Sequence, residues 1–416
     1  MLFRRKRKEY SSSPLSRLAI KRLLRNSSAL ASMGIIAVAT LIAILGYLIT
    51  PDSTPDVNQQ YLELATRKPG FKANMLKLRN NAPPKEHNLF YRMLFGAPSN
   101  YEEIPYSSYK IDGAFLTITE YTDIKNDIPI QKQFHLADIA FALATDATGK
   151  IQVSRIGDQI TYKLYDGTMH TIGLKELRQK VIDENLTVRR FPLGTDRYGR
   201  DMLSQLMIGT RVSLSVGFIA IAISLLIGIT LGAIAGYFGG KIDQMIVWLI
   251  NVVWSVPTLL LVIAITFVLG KGFWQVFIAV GLTMWVEVAR VVRGQVLSIR
   301  EKEFIEAARA LGYRNRRIIF RHILPNVMGP VIVISAANFA SAILLEAGLS
   351  FLGIGVQPPT PSWGSMIKEN YGYIILDYAY LAIMTGVAIM LMVLAFMLLG
   401  NALRDALDVK TVASEH

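Results

Sequence analysis

The chain has 416 residues, no cysteine, 52% hydrophobic and 18% charged residues, where an ordinary soluble domain carries about 25% charged. That composition excludes a disordered chain and a disulfide scaffold, and the missing cysteines exclude thiolate metal sites, cysteine nucleophiles and thiol redox relays. The net charge of +13 sits in two places: residues 1–25, with nine basic residues against Glu9, and residues 293–325, with eight against Glu301, Glu303 and Glu306. The remainder is neutral. Two basic clusters beside long apolar runs point to cytoplasmic loops under the positive-inside rule and away from a nucleic-acid-binding surface.

A helix needs about 20 mostly apolar residues to cross a bilayer. In chain order the candidates are Ala29–Ile49, Val212–Phe238, Met245–Leu269, Phe273–Val286 (extending through Glu287 and Arg290 to Val292), Val327–Leu345 and Tyr380–Leu399. Six crossings with a basic start place both termini in the cytoplasm, 293–325 inside, and 50–211 and 349–379 outside. The first run could be a signal peptide, but it is too long and no small-x-small cleavage site precedes Pro51, which favours a retained anchor.

The segment 56–190 reads as a small α+β insertion. Tyr109–Tyr121 and Ile151–Ile156 have strand composition. Ile160, Tyr162 and Leu164 alternate before the hairpin signal Asp166-Gly167, and Leu174–Asn185 carries apolar residues at helical spacing. The division is then a basic N-terminus (1–28), a first span (29–49), an extracytoplasmic insertion (50–190), a five-helix core (191–405) and a tail (406–416).

Motifs of chemistry are scarce. A phosphate-binding loop fails at Ala235 and Ile242 around Gly240-Lys241, and HExxH, zinc spacing and GxSxG are all missing. The pattern predicts no enzyme and no bound metal. Gly228, Gly232 and Gly236 form a double small-xxx-small pattern that lets helices approach closely, with ordinary glycine use in membrane helices as the alternative. Pro257 should kink the third run, with Asn251 and Ser255 placed to satisfy freed backbone groups. Glu287 is the one acid within an expected span; an interfacial ion pair with Arg290 is favoured over a proton-relay or substrate role. Asn338, in the fifth run, is a further polar candidate for helix packing or the path. In the loop 293–325, Glu303, Phe304, Ala307, Ala308, Ala310 and Leu311 outline a short amphipathic helix with exposed alanines, which Gly312 can stop in a left-handed conformation. Such a helix suits a groove on a partner protein or an anionic lipid surface.

Glu306-Ala307-Ala308-Arg309-Ala310-Leu311-Gly312, followed by Arg321-His322-Ile323-Leu324-Pro325-Asn326, resembles the EAA loop of binding-protein-dependent ABC import permeases. Gly194-Thr195-Asp196-Arg197-Tyr198-Gly199-Arg200-Asp201 and the run from Glu346 through Gln357-Pro358-Pro359 to Trp363-Gly364 resemble the dipeptide/oligopeptide C-type subfamily. The likeness covers about 190–405. It departs at Ser204-Gln205, where the family usually has Ser-Arg and this chain would lack a basic outside contact, and in the length of the loop after the first helix. The resemblance implies a type I ABC importer membrane subunit for di- or oligopeptides, or alternatively for nickel chelates or other small solutes. It would pair with a second, distinct permease, two cytoplasmic ATPases that bind ATP and Mg, and an external substrate-binding protein, in the inner membrane. Glu303, Glu306, Ala307, Ala308, Gly312 and Arg316 would then couple to the ATPases.

Overall fold

The computed structural model describes residues 15–83, 87–123, 130–146, 151–270 and 272–407. The most basic part of the N-terminus, Arg4–Lys8, and the tail beyond Leu407 lie outside them. Helix α1 (Leu15–Arg25) leads into α2 (Ser27–Leu45), whose first turn is capped by the Asn26 side chain accepting from the Ser28 and Ala29 amides.

The segment after α2 builds two antiparallel sheets. Strand β1 (Phe71–Arg79) precedes helix α3 (Leu89–Phe95), β2 (Tyr101–Asp112), β3 (Phe115–Glu120) and β4 (Gln131–His135), which runs into helix α4 (Leu136–Ala140). Next come β5 (Val153–Ile156), β6 (Gln159–Lys163), β7 (Met169–Gly173), helix α5 (Leu174–Lys180) and β8 (Leu186–Phe191). The larger sheet has the order β4-β3-β2-β1-β8 and the smaller β5-β6-β7. The segment thus carries both strands and helices, with one correction to the sequence reading. Tyr109–Tyr121 is not a single strand, because Gly113, at φ +56°, turns the chain between β2 and β3, and Ile111 pairs with Leu116. The hairpin at Asp166-Gly167 forms as β6–β7, and α5 continues into a π-turn ending at Asn185. Leu116, Ile118, Leu136, Ile139, Ile160 and Leu177 fill the core between the sheets and their two helices.

Strand β8 returns to pair with β1, with Met75 opposite Thr187, and delivers the chain to the helical bundle. The bundle consists of α6 (Met202–Phe238), α7 (Gly240–Trp254), α8 (Thr258–Leu269), α9 (Phe273–Arg300), the short α10 (Glu303–Ala310) and α11 (Asn315–Ile318), α12 (Leu324–Phe351), α13 (Trp363–Asn370) and α14 (Tyr380–Leu407). Among the described residues five helices, counting α11–α12 as one, are long and apolar enough to cross a membrane. The bent pair α7–α8 makes a sixth crossing if it counts as one span; its axes differ by 91° at the break before Pro257. The kink expected at Pro257 is thus a sharp corner. The Ser255 hydroxyl donates to the Val252 carbonyl there, while Asn251 is exposed one turn earlier.

Spans are longer than hydropathy marked them. α9 runs to Arg300, not Val292, because its last two turns, although polar outward, bury Val292 and Val296. α12 runs past Leu345 to Phe351, which draws Glu346 inside a helix. Glu287 is therefore not the only acid in the long apolar helices: Glu346 is fully buried in α12, and Asp243 lies in the first turn of α7.

Candidate coupling site and permease core

The α6 glycines decide how the bundle packs. A Cβ on Gly228 would sit 2.6 Å from the Val288 Cβ, one on Gly232 2.5 Å from the Ala289 carbonyl oxygen, and one on Gly236 2.8 Å from that of Arg293. No real Cβ fits at such distances, so the three-glycine stripe is the contact of α6 with α9. On the facing helix, Gly281 repeats the device 2.7 Å from the Ile223 Cβ.

At the far end of this pair stands the α10 loop. Ile305 and Ala308 are buried with Val292, Val296, Ile318, Ile323 and Val327, a cluster that roots the loop in α6, α9 and α12. Glu303, Phe304, Glu306, Ala307, Ala310 and Leu311 remain exposed, Leu311 by 71%. Ala308 is thus a correction: it faces the root of the loop, since its i−3 neighbour Ile305 lies on the same inward face. Gly312, at φ +75°, closes α10 as a Schellman motif, the Tyr313 amide donating to the Ala308 carbonyl and the Gly312 amide to that of Arg309. Further bonds fix the loop to the end of α6. The Tyr237 hydroxyl donates to Asn315 Oδ1 at 2.8 Å, Arg300 Nη1 donates to the Gly236 carbonyl at 3.1 Å, and Arg309 lies over the Tyr237 ring. Arg293 grips Asp243 through two bonds of 2.5 and 2.7 Å, tying α9 to α7. Arg316 is exposed beyond Gly312.

The expected Glu287–Arg290 pair does not form among the described residues. The Arg290 guanidinium lies 3.6 Å over the Trp254 ring at the α7–α8 corner, a cation–π contact that pulls it away from Glu287. Glu287 lines an open groove of about 290 Å³ with Trp254, Thr258, Thr283 and Ser341. A second cleft, about 630 Å³, lies between α9, α12 and α14 and includes Gln295, Asn326, Asn401 and Arg404. Asn338 is buried in α12, its Nδ2 without a hydrogen-bond partner among the described residues.

At the sheet end, Thr195, Asp196, Arg200, Asp201, Ser204 and Gln205 are all buried. Asp201 caps α6 by accepting from the Ser204 amide at 2.9 Å; burial pushes its carboxyl above the usual carboxylate range, against the Ser204 hydroxyl and amide that hold it down. Asp196 accepts from Arg200 Nε at 2.6 Å and from Gln205 Nε2 at 3.0 Å, and Arg200 Nη2 reaches Glu369 of α13 at 2.6 Å. Burial opposes the Arg200 charge, but the two carboxylates outweigh it and lift its pKa above the ordinary value. Gln205 is therefore no missing surface contact, because it points inward and completes this network. Glu346, overlooked because the expected span stopped at Leu345, accepts from the Ser350 hydroxyl at 2.7 Å and from Ser213 of α6 at 3.3 Å. Its place at the head of the Glu346–Gly364 motif was the available signal. Trp363 from the same motif donates Nε1 to the Leu206 carbonyl and lies against Gly209.

A bundle of long apolar helices, one broken, carrying a rooted but outwardly exposed loop helix, defines a multi-pass membrane protein. Residues 228–412 match the family described as binding-protein-dependent transport system inner membrane component, and residues 13–84 match the N-terminal TM domain of oligopeptide transport permease C. The dipeptide transport system permease protein of Alkalihalophilus pseudofirmus is 44% identical over 52% of this chain and 71% of its own length. The oligopeptide transport system permease protein of Bacillus subtilis is 38% identical over 52% of this chain and 71% of its own. An inward-facing methionine ABC transporter structure aligns with 50% of this chain and 98% of its own at 19% identity and a TM-score of 0.42. The chain belongs to the binding-protein-dependent ABC importer permeases, and it is a transport component, not an enzyme. Membership implies ATPase and substrate-binding partners.

Proposed function

We propose that this chain is one of two homologous but distinct membrane subunits of a di- or oligopeptide importer of the inner membrane, driven by two ATPases on the cytoplasmic side. The sheets then lie outside, both termini and α10 inside, and an external binding protein delivers substrate at the sheet end. The names of the similar permeases, which transport dipeptides, oligopeptides or glutathione, favour peptides over nickel chelates. ATP and Mg belong to the ATPases, and this chain holds no cofactor.

One observation carries the coupling assignment: α10 presents Phe304, Glu306, Ala307 and Leu311 outward while Ile305 and Ala308 fix it to the ends of α6, α9 and α12. A force on the exposed face passes to the bundle without being absorbed in a loose loop. Glu303, Glu306 and Ala307 would meet the ATPase groove, Gly312 would set the angle of the helix, and Arg316 would pair with acidic groups beside the groove. Asn251, Glu287 and Asn338 are assigned to the substrate path or to packing against the second permease. Reversing the charge in Glu306→Lys, in a complex reconstituted with its ATPases and binding protein, should abolish substrate-stimulated ATP hydrolysis while the subunit still assembles. Wild-type stimulation in that variant would refute the assignment.

A further inference from the structure

Helix α3 has no polar face to speak of. Its sequence is Leu-Phe-Tyr-Arg-Met-Leu-Phe, and Leu89, Phe90, Tyr91, Leu94 and Phe95 are exposed by 46–67%. At 100° per residue these side chains cover all of the helix surface except the sector of Arg92, which faces a polar pocket with Asp52, Glu103 and Arg189. Five large apolar side chains on two turns would be costly on a surface facing water.

The position of α3 follows from Arg211 of α6. Its Nε donates to the Ala43 carbonyl at 2.8 Å and its Nη2 to Ile44, both in the last turn of α2, while Nη1 donates to Leu94 at 2.7 Å and Nη2 to Met93 at 2.9 Å, in the last turn of α3. One guanidinium thus caps the C-terminal ends of a membrane-spanning helix and of α3, a favourable place for a cation. Gly46 makes room for it: a Cβ there would lie 2.1 Å from Nη2. Ala43 is within about 3 Å, along the axis, of the end of α2 at 1.5 Å per residue. The carbonyl end of α3 is therefore level with the C-terminal end of that apolar helix. Leu41 and Ile44 near the end of α2, and Leu48 just beyond it, are likewise exposed.

We propose that α3 is an interfacial helix that lies in the lipid leaflet on the sheet side and sets the depth and tilt of the α+β segment over the transport bundle. The occupant of its exposed face is the acyl–headgroup boundary of the bilayer. Short apolar helices rich in aromatic residues settle at that boundary, and Phe90, Tyr91 and Phe95 supply the aromatic ring edges. The inference needs only α2 to be a span and does not depend on the substrate.

The chain has no native cysteine, so single spin labels can be placed cleanly. The full chain carrying Phe90→Cys, Leu94→Cys, Ile44→Cys or Ile156→Cys would be labelled in vesicles of phosphatidylethanolamine and phosphatidylglycerol. Accessibility to oxygen and to a water-soluble nickel chelate would then be compared by electron paramagnetic resonance. Phe90 and Leu94 should match Ile44, with an oxygen-to-chelate ratio several-fold above that at Ile156, which is 76% exposed on the small sheet. High chelate access at Phe90 and Leu94 would place α3 in water, and low access to both reagents would place it under protein; either result overturns the proposal. If Ile44 also favoured the chelate, the failure would lie in the α2 span itself.

Discussion

Gly312 shows how one residue can set the angle of a short loop helix. Its positive φ is required by the Schellman closure, yet nothing lies within 4 Å of a Cβ built there. Substitution therefore costs backbone strain and not a clash, about 1–2 kcal/mol for an ordinary L-residue. Gly312→Asn should preserve coupled transport, since asparagine tolerates the left-handed region, while Gly312→Val should lose it; comparing substrate-stimulated ATP hydrolysis in the two variants checks this. Equal activity would show that the turn has no mechanical role. The buried network at the α6 start makes a different demand. Arg200→Ala leaves the Asp196 carboxylate buried without its main partner, a loss of about 3–5 kcal/mol, which thermal unfolding in detergent should register as a clear drop in midpoint. Gln205→Leu removes one hydrogen bond from a neutral donor to the Asp196 carboxylate and should cost only about 1.5–3 kcal/mol. At Gln205 the sequence signal was misdirected. A position read as lacking a basic outside contact lies in an interior polar knot, and burial cannot be inferred from residue type when the polar side chains pair with one another.

Among elements, the α6–α9 pair is the frame on which the α10 loop stands. The spacing of Gly228, Gly232 and Gly236 is readable from sequence, but the partner helix is not, since small-xxx-small says that something approaches and not what. Gly232→Leu should abolish accumulation of folded subunit, while Gly294→Ala on α9, where nothing lies within 4 Å of a Cβ, should be neutral or slightly stabilising. Fluorescence size-exclusion chromatography of the two variants distinguishes them. Helix ends were the least legible feature. Hydropathy windows stop at the first charge, whereas α9 and α12 continue because their polar turns are paid for by buried faces and by hydrogen bonds such as those at Glu346. The corner at Pro257 was legible as a break; its size of 91° follows from packing against α9 and the Trp254–Arg290 stack.

At the scale of the molecule, the α+β segment is stitched into the bundle and does not simply hang from it. The Tyr61 amide donates to the Tyr198 carbonyl at 3.1 Å, the Thr195 hydroxyl to Leu64 at 2.5 Å, and the Tyr380 hydroxyl to Arg67 at 2.7 Å. These bonds tie residues 61–67, the segment that leads into β1, to the residues just before α6 and to α14. This coupling was invisible in the sequence, where 56–190 read as a self-contained insertion, because its contacts join residues more than 100 positions apart. The topology has its own check. Ile156→Cys should react with a membrane-impermeant thiol reagent in spheroplasts and Arg314→Cys should not, and equal labelling would contradict the placement of the sheets outside and the α10 loop inside.

The central claim is that the exposed face of α10 is seated in an ATPase subunit. A photo-crosslinking amino acid at Leu311, 71% exposed at the cap of the loop helix, tests it most directly in the assembled transporter. The account predicts a covalent adduct between this chain and the ATPase from Leu311, and none from Ile305, which is buried beneath it. Adducts from Leu311 only to lipid, or only to the external binding protein, would contradict it.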